Sequence, residues 1–260
     1  MKACAFDYER ARDLTDAVRL LSTEGAKPAA GMQSLGPMLN LRLVQPRLLV
    51  DIRRLEELKT IREDGDALAL GACVTHAEIE DGRVPGPTGA FLRKVASRIA
   101  YRAVRNRGTI GGSLAHADPA ADWPSALALL GGVAIVDGPK GRREIPLDRF
   151  VTGLFSTGVA GGEIVVSIRL HKLGSRARCG WWKFCRKAGE FAQAIGGALE
   201  DRERGVLRAV IGAVQGAPHV IADARQCDPA AEAAKVCTDL YERRLHSVAL
   251  KRAIAEAQQP

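Results

Sequence analysis

The order of apolar and polar positions divides the chain into three stretches of different character. Residues 14–22 set Leu14, Ala17, Val18 and Leu21 at helical spacing, with Thr15 and Asp16 at the start, and predict a helix that ends at Gly25. The run Leu48-Leu49-Val50-Asp51-Ile52 is of strand type, and the small residues at 29–37 predict a loop between the two. A second stretch opens with a strand over 67–72. Thr75 followed by Glu78 has the spacing of a capping box and predicts a helix start; Pro85, Gly86, Pro87 and Gly89 then interrupt, and 91–99 predicts a further helix. Residues 105–124 read as a glycine-containing loop leading into a helix over 125–130. Strands follow over 133–137 and 163–170, with a hairpin turn at 138–143. After a basic linker at 171–178 come a strand near 181–186, an apolar run at 191–199, a turn at 201–205 and a strand over 206–215. The last stretch, 230–257, predicts a helix with Leu240, Leu245, Val248 and Ile254 on its apolar face.

Composition narrows the class. With 260 residues, 47% hydrophobic and 26% charged, the chain can bury a sizeable core, which excludes disorder over most of its length. No window approaches an uninterrupted apolar membrane span, and the start lacks a signal-peptide run, so a cytoplasmic protein without a transmembrane segment is expected. Cys4, Cys73, Cys179, Cys185, Cys227 and Cys237 are scattered with no C-x-x-C pair, so free thiols and no metal site are expected. The net charge of +8 comes from residues spread along the chain, with clusters at 98–107 and 172–187. With aromatics at only 5% and no recognisable nucleic-acid module, DNA and RNA are not expected as partners.

Two loops carry candidate chemistry. In the first, Gly31, Ser34 and Gly36 permit close backbone approach, and Gln33 and Ser34 bring side-chain donors. In the second, Thr109, Gly111, Gly112 and Ser113 repeat the combination, followed by the carboxylates Asp118 and Asp122. Consecutive backbone N–H groups freed by glycine form concave sites for phosphate oxygens, and a nearby carboxylate suits a ribose or ribityl hydroxyl. Neither loop fits the Walker A pattern or the G-x-G-x-x-G fingerprint, which disfavours a P-loop ATPase and a Rossmann dehydrogenase. His116 is read as a structural residue, and His76, His171, His219 and His246 show no paired ligand spacing. Trp181 and Trp182 are read as one core and one surface aromatic, and Cys179 and Cys185 as packing residues. No nucleophile, base and orienting acid assemble by local pattern, so no catalytic side chain is assigned.

Taken together, the two loops resemble the FAD-binding medium subunit of the molybdenum hydroxylases, the family of aerobic carbon monoxide dehydrogenase and bacterial xanthine dehydrogenase. Ala30-Gly31-Met32-Gln33-Ser34 is similar to its Ala-Gly-Gly-x-Ser loop, and the residues from Val104 to Asp122 follow its second signature without a gap. Two weaker similarities, Lys183 to Phe191 and Leu240 to Leu245, extend the likeness over almost the whole chain. The resemblance implies an α+β fold: FAD-binding subdomains at 1–54 and 55–172, then a C-terminal unit of a small antiparallel sheet plus helices at 173–260. It also implies that Ala30, Gly31, Met32, Gln33, Ser34 and Leu35, with Thr109, Ile110, Gly111, Gly112 and Ser113, hold the cofactor diphosphate. Asp122 would take a cofactor hydroxyl, with Asp118 close by. Ile99 and Val165 would lie against the rings, Lys183 would reach in from the third unit, and Phe191 would stand near the isoalloxazine, where relatives often have Tyr.

The implied role is an oxidoreductase subunit. Electrons would pass from a large molybdenum-cofactor subunit through a small [2Fe-2S] subunit to FAD here, and on to NAD, a quinone or oxygen. An assembly subunit with a decayed flavin site, and a stand-alone flavoprotein, are the alternatives. Two departures stand out: Met32 replaces a family glycine, and the chain is shorter between Val220 and Leu240.

Overall fold

The computed structural model describes residues 2–259, and the chain is α+β. The first layer contains β1 (Asp7–Arg10), α1 (Leu14–Leu21), β2 (Ala26–Ala29), α2 (Leu35–Asn40) and β3 (Leu48–Asp51). Its strands lie parallel in the order β1-β3-β2. Parallel neighbours need crossover connections, and the segments carrying α1 and α2 supply them. Asp13 caps α1 by accepting the Asp16 N–H at 2.7 Å, and Ala17, Leu20 and Leu21 turn inward to Leu48 and Val50 of the central strand. All four residues of β3 are buried, which is why its sequence is an unbroken apolar run closed by a single Asp.

The second layer runs through β4 (Ile61–Asp64), β5 (Ala67–Gly71), α3 (His76–Glu80), α4 (Gly86–Ala96), α5 (Arg102–Arg105), α6 (Ile110–His116), α7 (Asp122–Leu130), β6 (Val133–Asp137) and β7 (Arg143–Pro146). A small hairpin, β8 (Val151–Gly153) with β9 (Ser156–Thr157), precedes β10 (Ile164–His171). The large sheet is antiparallel in the order β4-β5-β10-β6-β7. Every residue of α7 is buried, and Trp123, Ala126, Leu127 and Leu129 join the main core. The third layer is an antiparallel meander of β11 (Arg178–Phe184), β12 (Ala194–Asp201), β13 (Val206–Gly212) and β14 (His219–Ile221), followed by α8 (Pro229–Val236) and α9 (Leu240–Ala257). Bare backbone lets α9 lie flush on this sheet: a Cβ on Gly180 would fall 1.8 Å from the Ala253 carbonyl oxygen, and one on Gly196 2.4 Å from the Ala249 carbonyl.

Several boundaries differ from the sequence expectation. The capping box at Thr75 and Glu78 is present, but α4 begins at Gly86, because Pro87 fits the first helical turn rather than interrupting the helix. Residues read as loop before Asp118 contain α6, which Thr109 caps through its hydroxyl. The C-terminal helix is two helices, and Asp239 starts the second by accepting the Tyr241 and Glu242 N–H groups.

Candidate functional site

A cavity of about 360 Å³ opens where the three layers meet. The carboxyl ends of β2 and β3 supply the Ala30 loop and Ile52, the second layer supplies Ala72, Cys73, Ile99, α6 and Val165, and the third supplies Lys183 and Phe191. In open α/β sheets ligands favour this carboxyl end of the strands. Of the residues singled out from sequence, Ala30, Gly31, Met32, Gln33, Ser34, Leu35, Ile99, Thr109, Gly111, Gly112, Ser113, Asp118, Asp122, Val165, Lys183 and Phe191 all line this cavity. Ile110 does not. Its side chain is fully buried in the main core, so it anchors α6 instead of facing a ligand.

The first loop carries the clearest recognition device. None of the backbone N–H groups from Gly31 to Leu35 has a hydrogen-bond partner among the described residues, while the carbonyls of Met32 and Ser34 accept the Gly36 and Met38 N–H groups that open α2. Met32 has φ 62°, the left-handed conformation, and Ser34 is right-handed; such alternation turns consecutive N–H groups to one concave side. Gly31 serves this loop differently from the sequence expectation. Its missing side chain makes room for protein backbone, because a Cβ would lie 2.2 Å from the Arg107 carbonyl oxygen.

Met32 pays about 1–2 kcal/mol for its left-handed backbone, offset by packing beside Ala29, Leu39 and Leu49. Met32→Gly removes the strain and the packing together. Its stability by urea unfolding is therefore expected to stay within about 1 kcal/mol of the parent, and flavin titration should find affinity within about threefold.

The second loop departs further from expectation. Ile110 N–H bonds the Val74 carbonyl at 3.0 Å, Gly111 N–H bonds that of Ala72 at 2.9 Å, and Gly112 and Ser113 donate to Thr109. These N–H groups are engaged within the protein, so they form no second anion nest. α6 offers the cavity the bare face of Gly112 and the side chains of Ser113, Ala115 and His116. Gly111 is required for packing: its Cβ would come within 2.4 Å of the Ala72 side chain.

At the cavity floor Lys183 Nζ donates to Asp122 Oδ2 at 2.7 Å and to the Arg98 carbonyl at 3.2 Å. The two side chains are 4% and 3% exposed, and Asp122 Oδ1 is enclosed with no partner among the described residues. Burial pushes the Asp122 carboxyl up, and Lys183 opposes that shift. Asp122, expected to take a cofactor hydroxyl, therefore has one oxygen committed to Lys183 and the other shut in. Ile99, Ile164 and Val165 form apolar wall, and Phe191 stands exposed at the mouth. The basic cluster at 98–107 has structural work: Arg105 donates to the Ile99 and Ala100 carbonyls at 2.9 and 3.0 Å while pairing with Glu80, and Arg102 pairs with Glu80 and Asp81.

His76 and Cys73 also line the cavity, and sequence reasoning missed both, because neither has a spacing partner. Burial pushes the Cys73 thiol up to about 12, with the Asp51 charge adding to it. Burial, with Arg105 nearby, pushes His76 down to about 3 from an ordinary value near 6.5. A histidine depressed in the fold contributes fully above the unfolded value and loses its contribution as pH falls toward the folded one. This group alone is expected to remove about 2 kcal/mol of stability between pH 7 and 5, a loss that urea titrations should find absent in His76→Phe. His116 lines the cavity and packs against Phe155 with ring centres 5.3 Å apart. Trp181 is buried, whereas Trp182 is half-buried beneath Arg252, as the sequence suggested.

Concave N–H groups and apolar walls, with a floor supplied by a separate layer, suit a ligand that carries both anionic oxygens and apolar surface. Comparison with known proteins agrees. Residues 4–172 match the family described as the FAD binding domain in molybdopterin dehydrogenase. The alpha subunit of the 6-hydroxypseudooxynicotine dehydrogenase complex of Paenarthrobacter nicotinovorans is 39% identical over 200 residues, 76% of this chain and 67% of that protein. The carbon monoxide dehydrogenase medium chain of Hydrogenophaga pseudoflava is 36% identical over 202 residues, 77% of this chain and 70% of that one. A solved structure of carbon monoxide dehydrogenase from the same organism superposes with a TM-score of 0.89 at 30% identity, covering 99% of this chain and 98% of that one. The chain belongs to the FAD-binding medium subunits of the molybdenum hydroxylases, and FAD is its cofactor.

Proposed function

We propose that this oxidoreductase subunit carries electrons out of a molybdenum hydroxylase. They would come from a large molybdenum-cofactor subunit through a small [2Fe-2S] subunit and leave for NAD, a quinone or oxygen, in the cytoplasm. FAD, when bound, supplies the redox chemistry, since it accepts and releases electrons singly or in pairs; the protein supplies position, access and electrostatics. The observation that carries the reading is the unpartnered N–H row from Gly31 to Leu35, which suits diphosphate oxygens. Ser113 stands beside it as a hydroxyl donor. Ile99 and Val165 offer apolar surface to the flavin rings, Phe191 covers the mouth, and Lys183, its charge paired with Asp122, closes the floor. In this reading residues 1–54 and 55–172 grip the cofactor and 173–260 closes it in.

The decayed-site alternative rested on Met32, yet Met32 adopts the left-handed conformation a glycine would take and leaves the N–H row intact. The purified chain is expected to retain a flavin absorption spectrum through desalting, with about one FAD per chain. A colourless protein that takes up no added FAD overturns the reading. Co-purification with a molybdenum-containing large subunit separates the multi-subunit role from a stand-alone flavoprotein.

A further inference from the structure

His76 lies outside both loops that point to a ligand, yet its ring lines the cavity and is only 5% exposed. It is the first residue of α3, held by its own N–H on the Gly108 carbonyl at 2.9 Å. An indole nitrogen can only donate, so the 3.0 Å bond from Trp123 Nε1 makes His76 Nδ1 an acceptor and places the ring's single proton on Nε2. No group among the described residues accepts that Nε2 proton. The atom is not enclosed by protein, so this donor stands free at the cavity wall for a bound acceptor.

Gly108 links this donor to the first loop. A Cβ on Gly108 would lie 2.7 Å from His76 Nε2, so glycine keeps that edge of the ring clear. A Cβ on Gly31 would come within 2.8 Å of the Gly108 Cα, so the same residue abuts the head of the free N–H row. One glycine thus stands between the imidazole donor and the backbone donors.

We propose that His76, locked in its Nε2–H tautomer by Trp123, is a neutral hydrogen-bond donor to an anionic oxygen of the cofactor diphosphate. This rests on the reading that FAD occupies the cavity. Neutrality suits the place: an imidazolium would have to be desolvated beside Arg105, whereas a neutral N–H extends the row of backbone dipoles without adding a buried charge.

The test uses the full chain. Nitrogen-15 NMR of the cofactor-free protein is expected to show His76 as the Nε2–H tautomer, and FAD is expected to move that proton downfield. FAD titration followed by flavin fluorescence is expected to give a Kd raised about tenfold in His76→Phe. Trp123→Phe keeps the donor but frees the tautomer, so it should weaken binding less and show both tautomers by NMR. A wild-type Nδ1–H tautomer overturns the proposal without any variant having to fold. Wild-type uptake of FAD with unchanged affinity in a folded His76→Phe overturns this proposal alone; a wild-type chain that takes up no FAD overturns the occupancy reading and this one together.

Discussion

Gly31→Ala is expected to lower FAD affinity by about 100-fold or more while leaving most of the chain folded. The added methyl would lie 2.2 Å from the Arg107 carbonyl oxygen and 2.8 Å from the Gly108 Cα, and both neighbours are backbone. Backbone cannot swing aside as a side chain does, so the two loops must separate. Forced overpacking of this kind costs about 1–3 kcal/mol, and the strain falls on the segment whose N–H groups face the cavity. Gly36→Ala is the matching control, because its nearest neighbour would be the Met32 Cβ at 3.9 Å, an ordinary contact. Flavin fluorescence titration of both variants, with circular dichroism to confirm folding, checks the contrast. Equal affinity in the two would remove the packed contact between the loops from the account of the site.

The second large effect is expected at the cavity floor. Lys183→Met should destabilise the chain by about 3–5 kcal/mol, because it leaves the Asp122 carboxylate buried without its partner. Oδ1 has no hydrogen bond of its own, so the nearby Trp181 side chain and Arg98 charge soften the loss only in part. Asp122→Asn keeps an amide oxygen for Lys183 Nζ but removes its counter-charge, which leaves a buried ammonium facing only neutral acceptors, and should be similarly harmful. The double variant Asp122→Asn with Lys183→Met carries no buried charge and is expected to regain most of the loss. Urea midpoints for the four proteins close a double-mutant cycle; a double variant no better than the singles would show that packing, not charge, dominates the floor.

Sequence patterns revealed the site more fully than the folding units around it. The central strands and α1 were legible because burial on both faces leaves apolar runs, and α1 carries a one-sided stripe. β1 and β4 were not, because most or all of their residues are exposed and no alternation is imposed on them. The glycine loops were legible as places of close approach, but the partner in that approach was not. Sequence cannot say whether a glycine makes room for a ligand or for another segment, and at Gly31 and Gly111 the neighbour is protein. Met32 was visible as a misfit, and its positive φ could be anticipated only from the resemblance. His76 had no signal, since its role depends on an indole 47 residues away in the chain.

The flush seating of α9 on the third sheet bears on the order of biosynthesis. Lys183 belongs to β11, and that strand is held from outside by α9: Gly180 clears the Ala253 carbonyl, and the Trp181 N–H reaches Glu256 Oε2 at 2.9 Å. These partners are translated long after both glycine loops and after Lys183 itself. The floor of the cavity is therefore finished only when the helix has left the ribosome.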